Sequence, residues 1–585
     1  MDAKRTYAEV TASIKGIANT RRWPDKGTYV VAALILTVGA YVIYPVALMI
    51  GLSFNTATLF FVGERDWGLD HWRIAFSEPR IPLALWNTIW LWAVSTAVSF
   101  PLGILVAWLL ARTRLPGSHL LEVGYWIAYV TPGGFIAWIM LLDPTTGMAN
   151  RLLELLPFVD RGPFNIFSIP GIVFVNVVGG ASSSMVMILT PVFRNMDAAL
   201  EEAARVAGAG KLRTMMRVTI PVMVSPIVLI FTLQLLRIFS GFERELILGR
   251  PIGFEIYSTL IYELTRLQDP PAYGQATALA SMTLVVIAFI VPFQRWILTR
   301  RRYTTVTGSF KRGLIELGGW KWIAFALVLS DHLVNVFTFG VLILGSLMTR
   351  IGYFMLDPPF STVNWQWLFQ QNDFYIGLRT TLTLAFAGGI LSPLLFAILA
   401  YIIVRTKWRF RGVLDGLIWL SGAIPGVLTG LGMMFMFLWT PGLSFLYGTI
   451  WVLILVVVMS GSTTGVNLFK GYIVNIGEDL EEAARVSGAG WFRAFFTIWI
   501  PLLGPYLALI GLFNFNQAAN TTSSIILLAD RDTITLSVLQ VFYLLEGGSR
   551  HYAAAAAVQI IIGAITLFTA LAARHYGIRY GIRHR

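Results

Sequence analysis

Long apolar runs separated by short polar breaks dominate this sequence. They fall at about 29–52, 83–111, 120–142, 168–193, 221–240 and 275–298, and again at about 320–348, 378–404, 413–439, 447–469, 501–520 and 552–573. Each approaches the roughly 20 apolar residues that a helix needs to cross a bilayer. In hydrocarbon every backbone amide must be satisfied inside its own segment, so these runs are expected as helices. The pattern predicts an all-α polytopic membrane protein with about 12 transmembrane helices in two sets of six.

Composition sharpens this class. Of 585 residues, 56% are hydrophobic and 13% charged, against roughly 25% charged in soluble proteins. The mean hydropathy is +0.70. No cysteine is present, which excludes disulfides, thiolate metal sites and a cysteine nucleophile. The six histidines are scattered and have no metal-ligand spacing. The formal net charge is +13. In a soluble protein that excess would point to nucleic acid, but here the basic residues flank apolar runs and read as topology.

Segment 298–313 carries Arg300, Arg301, Arg302, Lys311 and Arg312 with no acid, and loop 405–412 carries Arg405, Lys407, Arg409 and Arg411. The C-terminal tail adds Arg574, Arg579, Arg583 and Arg585. The opposite loops are balanced: 53–82 has three basic and four acidic residues, and 143–167 has two and three. The asymmetry predicts both termini in the cytosol. The first 27 residues, with six basic and three acidic side chains, read as an uncleaved tail. The expected organisation is a tail at 1–28, one six-helix repeat at 29–298, a basic linker at 299–319, a second repeat at 320–573 and a tail at 574–585.

An internal repeat ties the two sets together. Leu200-Glu-Glu-Ala-Ala-Arg-Val-Ala-Gly-Ala-Gly210 recurs as Leu480-Glu-Glu-Ala-Ala-Arg-Val-Ser-Gly-Ala-Gly490, ten of eleven positions identical at an offset of 280. Ile220-Pro221 recurs as Ile500-Pro501. Arg112-Thr113 matches Arg405-Thr406, Pro132 matches Pro425, and Asn87-Thr88 matches Thr380-Thr381. The features keep the same order, so the repeats run parallel.

The repeated stretch lies in the polar segment after the fourth run of each set. Glu201 and Glu202 are expected to begin a helix, where carboxylates complement the positive end of the dipole. Ala203 and Ala204 give it a thin face. Gly208 and Gly210 can take positive φ and end it in a turn. A second helix is expected over Lys211–Arg217, before Pro221 opens the next span. Glu481, Glu482, Ala483, Ala484, Gly488 and Gly490 repeat the arrangement. An apolar span need only be apolar, so identity retained in a loop suggests a shared partner surface.

Glu202-Ala-Ala-x3-Gly208 followed by Ile220-Pro221, with its second copy from Glu482, resembles the EAA signature of ABC importer permeases. The chain is similar over nearly its whole length to fused, double-length permeases, the ferric iron permeases above all. Related systems carry thiamine, polyamines or aminoethylphosphonate. The resemblance implies a type I importer fold in a bacterial inner membrane. Two copies of a cytosolic ABC ATPase would dock on the two motif helices, and a periplasmic solute-binding protein on the other face. Cofactors are then expected only in the partner, as ATP and Mg. The chain has no P-loop of its own: Gly208-Ala-Gly210-Lys211-Leu212 has Arg205 where the first glycine belongs and Leu212 where a hydroxyl belongs.

Two weaker signals lie inside the apolar runs. Gln234, Arg237 and Ser240 superpose through the repeat on Asn514, Gln517 and Asn520. Each trio falls on one helix face, and polar groups at membrane depth usually face protein or water. A lined translocation path and helix–helix hydrogen bonding both fit. Arg237 is the one charge in the two stripes and would favour an anionic solute. Gly180-Ala-Ser-Ser-Ser184 and Gly461-Ser-Thr-Thr-Gly465 read as helix packing or a gate. Glu122, Asp331 and His332 read as local hydrogen-bonding groups. The competing function is an ion-coupled secondary transporter with two six-helix repeats, which would not need duplicated docking helices. A membrane enzyme would need a convergent catalytic cluster that the sequence lacks.

Overall fold

The computed structural model describes residues 26–579, except 58–59, 62–65, 131–133, 179–180, 195–198, 236–237, 301–313, 407, 409, 475, 478, 487 and 489. Most of the N-terminal tail, residues 580–585 of the C-terminal one and most of the basic linker therefore lie outside the described residues, as do Pro132 and Arg237. Among the described residues the protein is helical throughout, with isolated bridges in place of strands. It is an all-α polytopic membrane protein.

Among the described residues seven helices are long and apolar enough to cross a membrane, and two bent pairs raise the number to nine. In chain order the first set contains α1 (Lys26–Leu52), α2 (Asp70–Ser77), α3 (Arg80–Arg112), α4 (Ser118–Val130), α5 (Gly134–Leu142), α6 (Ile169–Val178), α7 (Ala181–Arg194), α8 (Ala199–Val206), α9 (Val224–Leu235), α10 (Glu243–Gly249), α11 (Tyr257–Tyr262) and α12 (Tyr273–Arg300). The second set contains α13 (Trp320–Leu347), α14 (Val363–Gln370), α15 (Asn372–Arg405), α16 (Arg411–Ala423), α17 (Gly426–Trp439), α18 (Ile450–Met459), α19 (Ser462–Val474), α20 (Asp479–Val486), α21 (Ile500–Asn520), α22 (Leu536–Glu546) and α23 (Ser549–Arg579).

Several apolar runs expected as single spans are thus broken. The α16–α17 pair bends by 110° at Ile424-Pro425. Ile424 is extended, as a residue before proline prefers. The α18–α19 pair bends by 44°, with Gly461 at φ +73° in the break.

The repeat extends to individual hydrogen bonds. Trp72 Nε1 donates to Ser53 Oγ at 3.1 Å, and Trp365 Nε1 donates to Ser346 Oγ at 3.2 Å. His71 Nε2 lies 3.0 Å from the Asn55 carbonyl, and Asn364 Nδ2 donates to the Met348 carbonyl at 2.7 Å. Thr88 Oγ1 accepts from the Tyr257 amide, and Thr381 Oγ1 from the Leu536 amide, both at 2.9 Å. The connection from α5 to α6 is longer than that from α17 to α18, which is why the register between the halves shifts after the third run.

The halves exchange their first spans. α1 packs on α16 and α17, and α13 packs on α4 and α5. Glycine makes both crossings close. A Cβ on Gly432 would meet Pro45 and Met49 of α1, and one on Gly124 would fall inside the His332 ring of α13. The start of the second set is also stitched to the end of α3, where the Ile315 amide donates to the Arg112 carbonyl at 2.8 Å.

Candidate functional site

The candidate site is the pair of motif modules, α8 with its following turn and α20 with its own. As described, α8 runs from Ala199 to Val206 and carries Glu201 and Glu202. After Val206 the chain turns through Gly208 at φ +82°, and the Ala209 amide reaches back to the Ala204 carbonyl at 3.0 Å. This is a glycine-based helix stop. Gly488 takes φ +77° at the matching place. Gly210 and Gly490 are not in that region.

The expected separate second helix is not separate. Lys211–Thr214 runs into a π-helical segment, Met215–Thr219, and on through Ile220 and Pro221. The second module repeats it with Trp491–Ala494, Phe495–Trp499 and Ile500. Proline has no amide to donate and its ring would strike the carbonyl four residues back. Widening the preceding turn moves that carbonyl aside, and the Ile220 amide bonds to Met215 instead.

Each module presents the same exposed apolar face. Val206 and Val486 are each 90% exposed, and Met216 and Phe496, also exposed, follow at matching places. Ala203, Ala483, Glu202 and Glu482 are exposed beside them, whereas Ala204 is half-buried and Ala484 buried. The side chains of Glu201 and Glu481 lie outside the described residues.

The module bases are anchored. Arg405 donates from Nη2 to the Ile473 carbonyl at 2.9 Å and to that of Ile476, and its guanidinium sits 5.2 Å from the Trp499 ring centroid. One arginine therefore holds the chain entering the module and the chain leaving it. Arg112, its counterpart, is 1% exposed. Nearby, Glu122 bridges Arg194 and Asp415 bridges Lys470.

Of the two polar stripes, the second is fully described. Asn514 is buried and donates to the Ile510 carbonyl, and Asn520 donates to that of Asn516. Gln517 is exposed and donates to Ser460 Oγ at 2.9 Å. Gly461 lies under both: a Cβ there would meet Gln517 Oε1 at 2.8 Å and Asn514 Oδ1 at 3.0 Å. The stripe and the small-residue break, read separately in the sequence, are one junction. In the first half Gln234 lies near the described end of α9 and Ser240 in a short 3-10 turn, and the residues between them include 236–237, outside the described residues. The Gln234 carbonyl accepts from Trp92 Nε1.

The structure adds a polar group that the sequence reading passed over. Glu245, 4% exposed, accepts from Asn176 Nδ2 at 3.0 Å, and Arg244 donates to Asn176 Oδ1 at 3.0 Å. Glu243 hydrogen-bonds Thr522 of the second half, and burial raises its carboxyl above the usual range. Three consecutive charged residues just past an apolar run were the available signal. Among the described residues no cluster of metal-ligating side chains occurs.

Comparison with known proteins agrees with the motif. Residues 389–579 match the family described as "Binding-protein-dependent transport system inner membrane component". The ferric transport system permease protein FbpB of Actinobacillus pleuropneumoniae is 24% identical over 511 residues, 86% of this chain and 71% of that protein. A putative ferric transport permease, FbpB 1 of Haemophilus influenzae, is 25% identical over 63% of this chain, and the match spans 58% of its own length. The maltose/maltodextrin permease MalG of Escherichia coli K12 is 24% identical over 46% of this chain and 92% of that one. A bacterial alginate ABC transporter, solved in complex with its periplasmic protein, aligns at 24% identity and a TM-score of 0.39, covering 49% of this chain and 99% of that one. With the family match in the second half and the same motif repeated in the first, the chain is similar to the inner-membrane components of binding-protein-dependent transport systems.

Proposed function

We propose that this chain supplies both halves of the permease of an ABC importer for ferric iron. The iron would be delivered by a periplasmic binding protein and driven by two copies of a separate ATPase docked on α8 and α20. The observation that carries the docking reading is the duplicated exposed face: Val206 with Met216, and Val486 with Phe496. Isolated exposed apolar residues are ordinary on any surface. The same ones at matching positions of two diverged halves speak for one partner met twice. The motif face is then cytosolic, as the charge pattern predicts. Hydrolysis belongs to the partner, since the sequence offers no phosphate-cradling loop. Iron rests on the permease relatives alone.

The test is reconstitution in proteoliposomes with the cognate ATPase and binding protein. ATP-dependent uptake of ferric iron, and not of thiamine, a polyamine, aminoethylphosphonate or maltose, is the expected result. Uptake of one of the others would overturn iron and keep the importer. Uptake driven by an ion gradient without the ATPase would overturn the importer.

A further inference from the structure

Each half closes an ion pair at the foot of its module. Glu122 on α4 takes both guanidinium nitrogens of Arg194, at 3.0 and 2.5 Å. Arg194 is the last described residue of α7, on the chain that leads into the module. Asp415 on α16 accepts from Lys470 of α19 at 2.7 Å, and Asn467 steadies the same ammonium at 3.1 Å.

The two bridges are not copies. The repeat brings Glu122 onto Asp415, but it brings Arg194 onto Val474. The cation has moved one helical turn up the fourth span, to Lys470. A glutamate with a terminal arginine and an aspartate with an earlier lysine close the same gap by different chemistry. A link re-formed from other residues points to a requirement on position. Solvent reaches all four side chains, and partly exposed ion pairs add little stability, so holding the fold together is a poor account of them.

The third span leads onward from each bridge. One turn beyond Glu122, and on the same face of α4, Tyr125 donates to Asp331 Oδ2 at 2.7 Å. Asp331 belongs to α13, the first span of the other half, whose His332 lies edge-on to the Tyr125 ring. In the second half, Ile418 stands one turn beyond Asp415 and is buried with Val38 and Val42 of α1. Each module is thus joined, through fourth span, bridge and third span, to the first span of the opposite half.

We propose that Glu122–Arg194 and Asp415–Lys470 are positioning bridges that pass the placement of each docking module to the opposite half of the molecule. This rests on the docking reading above. Contiguity alone is not coupling, so the test measures coupling. The intact assembly of permease, ATPase and binding protein is placed in nanodiscs, and ATP hydrolysis is followed with and without loaded binding protein. Glu122→Gln and Asp415→Asn should each leave the ATPase bound and basal hydrolysis unchanged. Each should cut the binding-protein stimulation by about five- to tenfold, at the low end of ordinary allosteric coupling. Glu122→Asp should retain most of the stimulation, and the exchange Glu122→Arg with Arg194→Glu should recover it. Full stimulation in the double variant Glu122→Gln, Asp415→Asn would overturn the proposal. So would recovery by Glu122→Asp with none in a stably assembled exchange variant. Failure of the wild-type permease to hold its ATPase would instead overturn the docking reading.

Discussion

The two faces of this molecule treat the internal repeat differently. On the motif face the halves are nearly interchangeable: the same helix, the same glycine stop, the same π-turn before proline and the same exposed valine. On the far face they part. The first half follows its fifth span with Glu243-Arg244-Glu245, where the second has Ser523-Ser524-Ile525. Arg80 pairs with Glu255 and Glu263, and, with the Tyr257 amide set on that of Leu536, the repeat puts Asp373, Ile534 and Phe542 at those places. A surface that meets one kind of partner twice stays duplicated. A surface that meets a single partner without two-fold symmetry is free to differ. The contrast fits two identical ATPases on one side and one binding protein on the other.

The sharpest way to break this comparison is at the modules. Glu202→Lys with Glu482→Lys places cations at two helix starts, at a cost of roughly 0.3–1 kcal/mol each before any partner contact is lost. Reconstituted uptake should fall well beyond either single variant, and the singles should match each other. A silent change at one module would show that the modules are not equivalent. Next come Gly208→Val and Gly488→Val, which force a branched side chain into positive φ at about 1–2 kcal/mol. Retention of ATPase on the purified permease should drop by similar amounts for both.

On the far face the effects should be one-sided. Arg80→Met leaves Glu255 and Glu263 without their shared cation, and thermal unfolding should report a loss of up to about 1 kcal/mol. Asp373→Asn in the other half should do almost nothing. The smallest effect is expected at Glu243. Burial raises its pKa in the folded chain, so its contribution is fully present below the ordinary carboxylate range and is lost as pH climbs through the raised value. Glu243→Gln should flatten thermal stability against pH over that interval. An unchanged profile would mean that Glu243 already meets water.

What the sequence disclosed and what it hid divide along physical lines. Apolar runs, the motif and its duplication were legible because hydropathy, helix capping and identity are local properties. The α16–α17 bend was half legible: Pro425 was visible, but not that it would turn the chain by 110°. The stripe of Asn514 and Gln517 was visible as polarity, yet its partner at Ser460-Gly461 is a tertiary fact. The first-half stripe has Arg237 at its centre, outside the described residues, so its geometry is not set beside the second. Arg405 was matched to Arg112 by position alone. That it grips carbonyls on both sides of a module follows only from where α19 and α21 come together.

The exchange of first spans also bears on how the chain is made. Tyr44 of α1 and Thr440, just past α17, are hydrogen-bonded at 2.9 Å although 396 residues separate them. At ordinary translation rates of about 5–20 residues per second, α1 enters the membrane roughly 20–80 s before its partner exists. During that interval Val38 and Val42, buried among second-half side chains in the finished protein, have only lipid or the insertion machinery to face. Joining both halves in one polypeptide makes the late partner arrive on a tether, at high effective concentration, rather than by diffusion from a second messenger's product.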